Sequence, residues 1–364
     1  MSKKDVSKAK DHELIIDQPA DQAIEVLKAD YLSKDFQKLL TKIQIPPLER
    51  VHIKGARYYF YYDLTTDQPI FFQGTSEFVR KVLPRKTHFD PFVEWMMSNF
   101  PTKEDMNLYV RRAAQYGSFM HAIFAIYWKQ KHITREDVST YLYEYMKREG
   151  ISHELYYANW MDRIMGDLLA FQAFMIEHQV QPYAFEMPLW HPDGYATQID
   201  LPCEMTVMEE GFHGEVYKQS SEKYGYKKGD PKKTKGRVRI KAIINFKSKQ
   251  KGVFYSSEEL QLDLERRIWN HWMEPHGLKI DRIFNWSPKA WIRERTEPGF
   301  NLVEKTHTKQ VDCFPEYLSI AKKQKIVETS LGKRWPSWDS MKIGEMPDFQ
   351  VQDLALFVKQ NRKK

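Results

Sequence analysis

Two polar side chains, Asn245 and Lys247, stand two residues apart at the end of the run Arg237-Val238-Arg239-Ile240-Lys241-Ala242-Ile243-Ile244-Asn245-Phe246-Lys247-Ser248. Read at a strand's period of two, Val238, Ile240, Ala242, Ile244 and Phe246 share one face; Arg237, Arg239, Lys241, Ile243, Asn245 and Lys247 share the other. The pattern predicts a half-buried strand that ends by presenting an amide and an amine away from the core. Such a strand end is a platform for chemistry, and the question is what stands opposite it. Two residues upstream are candidates. Asp200 falls with Gly194, Ala196 and Gln198 on the more polar face of a strand read over 194–203. His121 lies beside the apolar stripe of Ile123, Phe124, Tyr127 and Trp128 on a long helix, where a histidine is either a satisfied core residue or a ligand.

The elements that must position these residues are legible in outline. Polar sequence fills residues 1–20, and a helical pattern runs through Ala23, Ile24, Val26, Leu27, Tyr31, Leu32, Phe36 and Leu39 to Pro46-Pro47. Arg57–Tyr62 and Ile70–Phe72 read as a hairpin, followed by a helix capped at Thr75-Ser76 and stopped by Pro84. Helical periodicity then covers about 103–131, 135–149 and 153–178. Gly117, inside the first of these, points to close packing there, since glycine in a helix costs about 1 kcal/mol against alanine. Pro182–Trp190 and Gly194–Cys203 read as strands joined by the turn His191-Pro192-Asp193-Gly194. A surface loop is expected over Ser220–Pro231, then the Arg237–Ser248 strand, then a helix from Ser257 to about His276 capped by Ser256 or Ser257. Strands at Arg282–Trp286, Ala290–Arg295 and Asn301–Lys305 and helices at Pro315–Ile326 and Pro347–Asn361 complete the chain. This order predicts an α/β fold with a mixed central sheet flanked by helices.

Composition narrows the classes. With 42% hydrophobic and 29% charged residues the chain reads as a soluble globular protein, and no run approaches the roughly 18 apolar residues of a membrane span. The start has no apolar segment of a secretory signal, and two cysteines, Cys203 and Cys313, cannot make a multi-cysteine metal site; a reducing cytoplasm is expected. The net charge of +7 is concentrated: residues 215–241 hold ten Lys or Arg against three acids, which equals the whole excess. A polyanion partner and a merely solvated loop both account for such a segment.

With His121, Asp200 and Asn245-x-Lys247 in that order, the sequence resembles the PD-(D/E)XK nucleases, specifically the RecB-like and phage exonuclease-like branch, over roughly 75–291. Gly117-Ser118-Phe119-Met120-His121 is similar to the family's G-x-x-x-H helix, and Val180–Glu186 to the strand before its first metal carboxylate. Gly194–Asp200 resembles its G-y-a-G-t-I-D strand and Ile243–Ser248 its I-I-D-x-K-[TS] strand. Gln261 stands where the family has a glutamine on the next helix, and Phe284–Pro288 fits a later strand and turn. The resemblance implies a restriction-endonuclease-like core with an N-terminal helical and hairpin elaboration. It divides the chain into a polar tail and helix at 1–44 and a nuclease-like domain at 45–364, with a basic insertion at 205–236.

By that resemblance Mg²⁺ or Mn²⁺ would be held by Asp200, the side chain of Asn245 and the Phe246 carbonyl, with His121 completing the shell. Lys247 would orient the attacking water or stabilise developing negative charge, and Glu186 and Gln261 would assist. The implied activity is metal-dependent hydrolysis of DNA, as an exonuclease of phage or bacterial recombination, replication or repair, in the host cytoplasm if phage-encoded. Lys227, Lys228, Lys232, Lys233, Lys235, Arg237 and Arg239 would grip the DNA backbone, and Tyr217, Tyr224 and Tyr226 offer stacking faces. The chain could act alone or as a ring. Three departures stand out. Asn245 replaces an acidic ligand with an uncharged amide, Thr197 replaces a usual glycine, and Glu265 stands where an aromatic often follows the glutamine. The alternative is therefore a weakly active or silent member that binds DNA or serves assembly.

Overall fold

Lys247 follows directly on one of the two longest strands of a five-stranded mixed sheet. The computed structural model describes residues 31–323, apart from 44, 46–47, 54–55, 64, 66–67, 83–97, 226, 250–251, 253 and 290–298. In chain order the elements are β1 (Tyr31–Leu32), α1 (Lys34–Ile43), β2 (Glu49–Ile53), β3 (Ala56–Asp63), β4 (Gln68–Gly74) and α2 (Thr75–Val82). Three helices follow: α3 (Lys103–Gln130), α4 (Arg135–Arg148) and α5 (His153–Glu177). Then come β5 (Gln181–Pro182), β6 (Ala184–Phe185), β7 (Met187–His191), β8 (Tyr195–Ile199), β9 (Leu201–Val216) and β10 (Pro231–Phe246). The last are α6 (Ser256–Met273, extended by a 3₁₀ turn at Glu274–His276), β11 (Arg282–Pro288), β12 (Phe300–Glu304), α7 (Lys309–Asp312) and α8 (Phe314–Lys323).

The main sheet has the order β12-β11-β10-β9-β5, parallel only between β10 and β11. A second five-stranded sheet, β2-β3-β4-β8-β7, is parallel only between β4 and β8, and β1 pairs with β6. The protein is thus a mixed α/β fold. One face of the main sheet is covered by α3, α4 and α5, where Phe124 stacks on Phe171 at 4.3 Å above Ala242, Ile244, Phe246 and Trp286. The other face is covered by α6, whose Leu260, Leu264, Ile268 and Trp269 pack with Ile243 and Ile283 of the main sheet and with Leu189, Tyr195 and Ile199 of the second. Because both faces are covered there, Asn245 is buried rather than turned away from the core. Among the described residues no helix is long and apolar enough to cross a membrane.

Several sequence expectations change. Both strands over 182–203 are broken: the first at Tyr183 and at Glu186, into β5 of the main sheet, β6 paired with β1, and β7 of the second sheet; the other at Asp200, into β8 of the second sheet and β9 of the main one. Tyr31 and Leu32 form a strand, with the helix starting only at Lys34, while Ala23–Leu27 lie outside the described residues. Helix α6 is preceded by Tyr255, whose N–H donates to Glu258 Oε2 at 2.8 Å, so neither Ser256 nor Ser257 caps it. The helix stop at Pro84, the strand at 290–295 and the helix at 347–361 fall outside the described residues. The largest change concerns the basic insertion. Most of residues 205–236 is strand: β9 and β10 pair in one register from Leu201↔Ile244 out to Phe212↔Lys233, shift at a bulge and pair again at Val216↔Pro231, so the loop expected over Ser220–Pro231 is the tip between them. Opposite charges meet across this ribbon, as at Lys235↔Glu210, which supplies cross-strand pairing without apolar alternation. At the tip, Asp230 Oδ2 accepts the Lys227 N–H at 2.6 Å and Ser220 Oγ the Lys228 N–H at 2.9 Å.

Candidate metal centre

The breaks at Glu186 and Asp200 make the site. At Glu186 the backbone takes φ +52, a left-handed conformation that costs an L residue on the order of 1 kcal/mol and needs surrounding structure to hold it. That structure is the other break: Glu186 N–H donates to Asp200 O at 3.0 Å. The kink turns the Glu186 side chain toward α3, where His121 Nδ1 lies 2.7 Å from Glu186 Oε1 and 3.6 Å from Asp200 Oδ1. Asp200 is fixed at its other oxygen, Oδ2, which accepts the Phe246 N–H at 2.7 Å. The His121 ring meets the Phe246 ring edge-on, with centroids 5.6 Å apart. Phe246 therefore braces both Asp200 and His121, one through its backbone and one through its ring.

His121, Glu186 and Asp200 each offer a ligand atom, all within 4.8 Å of one another. Adjacent ligands of an octahedral ion at about 2.1 Å stand about 3 Å apart, a spacing that the 2.7 and 3.6 Å separations bracket. One imidazole and two carboxylates form a donor set that a divalent cation can take, Mn²⁺ among them. The charges are coupled. Burial would lower the His121 pKa, but the Asp200 and Glu186 carboxylates outweigh it and bring it to about 9, against the opposing Lys247. Burial raises Asp200 to about 6, Glu186 adding to it and His121, Lys247 and the Phe246 N–H opposing. Lys247 thus acts electrostatically on both groups, and its backbone N–H donates to Trp286 O at 2.8 Å.

The other sequence candidates are placed as follows. Asn245 is 2% exposed, and its Nδ2 has no partner among the described residues. Asn285, in parallel register beside it on β11, is likewise buried with both side-chain polar atoms unpartnered. Gln261 makes its side-chain contact away from the His121 cluster: Nε2 donates to Glu265 Oε1 at 2.9 Å. Lys232, Lys233, Lys235, Arg237 and Arg239 lie along β10, with Lys232 near Glu215 at 3.8 Å and Arg239 near Glu204 at 3.5 Å, while Lys227 and Lys228 sit in the tip. Tyr217 and Tyr224 also belong to the tip, and Tyr226 is outside the described residues. Gly117 does approach the strand end. A Cβ there would meet Ser248 Oγ at 3.7 Å, an ordinary contact, so an alanine also fits.

Two features escaped sequence reading. The first is a brace on Ser248. Arg163 of α5 donates to the Ser248 carbonyl, lies 4.0 Å over the Tyr116 ring and pairs with Asp167 at 3.8 Å, which in turn accepts the Tyr116 hydroxyl at 2.7 Å. The i, i+4 spacing of Arg163 and Asp167 was the available signal, but nothing in sequence points it at Ser248. The second is the burial of Glu265, which the sequence marked only as a departure from the pattern it resembles: it is 1% exposed on α6, and burial raises its pKa to about 8, with Asp200 and Glu186 adding to it and Gln261 and Lys247 opposing. Set against known proteins, the chain matches no family model, no curated protein and no solved structure.

Proposed function

We propose that the protein is a metal-dependent DNA nuclease whose centre is built on a restriction-endonuclease-like core. The observation that carries this reading is the convergence of His121, Glu186 and Asp200 within 4.8 Å, with the Lys247 ammonium in the same electrostatic field. A divalent cation in that set, Mg²⁺ or Mn²⁺, would supply charge for a phosphodiester oxygen and acidify a bound water. The chain's own part is positional. Phe246 N–H holds Asp200 Oδ2 and leaves Oδ1 facing His121; the kink at Glu186 aims the second carboxylate; Lys247 offers a positive charge where negative charge develops. His121 Nδ1 must be unprotonated to serve as a donor, so cation binding competes with the proton it shares with Glu186. The β10 cations and the tip lysines would bind the phosphate backbone without regard to sequence. An exonuclease of phage or bacterial DNA recombination, replication or repair is the specific form this takes.

The test is Mn²⁺- and Mg²⁺-dependent cleavage of end-labelled duplex and single-stranded DNA. Lys247→Ala should lower the rate about 10²–10³-fold at unchanged DNA affinity, and Asn245→Asp should raise it. The buried, uncharged Asn245 favours one other reading, a silent DNA-binding member. Salt-sensitive DNA binding with no cleavage by either the wild type or Asn245→Asp would select it.

A further inference from the structure

Of the three residues in the cluster, His121 alone comes from a helix; Glu186 and Asp200 lie at strand breaks. Its distance to the two carboxylates therefore depends on where α3 sits against the end of β10. The apolar contacts there, such as Phe124 against Phe246 at 5.4 Å between ring centroids, are non-directional and tolerate sliding. The contacts of Arg163 on α5 are directional. Its Nη2 donates to the Ser248 carbonyl just beyond β10, and its guanidinium carbon lies 4.0 Å from the centre of the Tyr116 ring on α3. On its own helix, its Nε stands 3.8 Å from Asp167 Oδ2, which also accepts the Tyr116 hydroxyl at 2.7 Å. A carboxylate buried beside an arginine gains little net stability, because desolvation offsets the attraction. What these contacts fix is geometry. They sit one helical turn from the ligand: Gly117, next to Tyr116, and His121 are four residues apart and share a face of α3. A Cβ at Gly117 would stand 3.7 Å from Ser248 Oγ, while the His121 ring meets that of Phe246, whose N–H holds Asp200 Oδ2 at 2.7 Å. Four helical residues rise about 6 Å and two extended residues about 6.6 Å, so the two contacts are in step along helix and strand.

We infer that Arg163 is a positioning residue of the metal centre: with Tyr116 and Asp167 it locks α3 onto the end of β10 and so holds His121 at ligand distance from Glu186 and Asp200. This rests on the cation site described above and not on the hydrolytic reaction. Arg163 makes no contact with the ion; its effect passes through α3. Without the clamp the two carboxylates keep their places, because Phe246 N–H holds Asp200 Oδ2 and Asp200 O holds the Glu186 N–H, whereas the imidazole shifts with its helix. The site then keeps its charge and loses its nitrogen.

The experiment is Mn²⁺ binding by the full chain, followed by the electron paramagnetic resonance signal of free Mn²⁺, with the ¹⁴N coupling of bound Mn²⁺ read by pulsed methods; DNA cleavage is not read. In the wild type the coupling reports the imidazole, and His121→Ala, one control, should abolish it. Asp200→Asn, the other, should abolish binding. Arg163→Met keeps an unbranched stem over Tyr116 and removes the guanidinium. It should weaken Mn²⁺ binding about 10-fold and diminish the ¹⁴N coupling, with far-ultraviolet dichroism unchanged. Should Arg163→Met fail to fold, Tyr116→Phe decides: it keeps the ring under the guanidinium, leaves Asp167 to draw Arg163 away from Ser248, and should weaken binding several-fold with the same loss of coupling. Wild-type affinity and coupling in the deciding variant would overturn the inference and leave the three-residue site standing. So would weaker binding with the coupling intact, since the loss would not then pass through His121. No Mn²⁺ binding by the wild type, a wild-type complex without ¹⁴N coupling, or binding untouched by Asp200→Asn would overturn the site itself and this inference with it.

Discussion

Glu186 holds its φ of +52 against its own side chain, and the strain has an identifiable use, because the kink delivers Oε1 to His121. Glycine accepts that conformation without the Cβ penalty. Glu186→Gly should therefore raise the thermal midpoint in the presence of chelator, by an amount equivalent to about 1 kcal/mol, while weakening Mn²⁺ binding. A lower midpoint would show that the kink is not strained in the folded protein. At this scale the sequence was readable for residue type and silent on geometry. His121, Asp200 and Lys247 stood out by their place in the periodic pattern and by the resemblance, and Glu186 through the resemblance alone. The burial of Glu265, whose Oε2 has no partner among the described residues, comes from the packing around α6, which no spacing rule encodes.

Whole elements were legible where periodicity was strong and burial one-sided. Helices α4 and α5 appear within a residue or two of the periodic segments, and β10 carries its apolar column of Ala242, Ile244 and Phe246 into the helix-covered core. The fault lay in reading β10 as half-buried, since Ile243 and Asn245 on the second face are closed over by α6. The turn between β7 and β8 gives a pH test at the same scale. His191 Nδ1 accepts the Asp193 N–H at 3.2 Å and its ring stacks on Tyr195 at 4.9 Å, an arrangement that requires the nitrogen to be unprotonated. Burial first, then His271, Arg267 and Lys322, lower its pKa from 6.5 to about 4 against the pull of Asp193. Between those values the unfolded chain takes up the proton and the folded one does not. The stability His191 contributes is thus present above about pH 6.5 and is lost as pH falls toward 4. Thermal midpoints measured across that range should fall less steeply for His191→Asn than for the wild type; parallel slopes would rule out this linkage.

Across the whole molecule, the ribbon of β9 and β10 changes where the basic charge lies. Asp200 and Phe246 are at one end of the two strands and the Lys227-Lys228 tip is at the other, so 16-residue strands put about 50 Å between them at about 3.3 Å per residue. Beyond β5 and β11 these strands pair only with each other among the described residues. The insertion joins the site strands in sequence, yet its tip stands far from the site in space, which composition alone does not reveal. DNA engaged at both ends would span about 15 base pairs at about 3.4 Å each. Replacing Lys227, Lys228, Lys235 and Arg237 by Gln should weaken binding to long duplexes and flatten its salt dependence, with Mn²⁺ affinity unchanged. Equal loss on duplexes of about 8 base pairs would mean that the arm does not reach outward along the DNA.

At Asp200 the chain leaves the second sheet for the main one, and at Glu186 it passes from the β1–β6 pair into the second sheet. An ion held there would act as a rivet, pinning two sheets that otherwise meet through side-chain packing and a few backbone bonds. Sliding of one sheet against the other would have to pull its ligands apart. Mn²⁺ or Mg²⁺ should therefore slow hydrogen exchange at the Glu186 N–H, bonded to Asp200 O, and at the Phe246 N–H, bonded to Asp200 Oδ2, together and by the same factor. Protection of one amide without the other would show that the ion fastens a single strand and leaves the seam free.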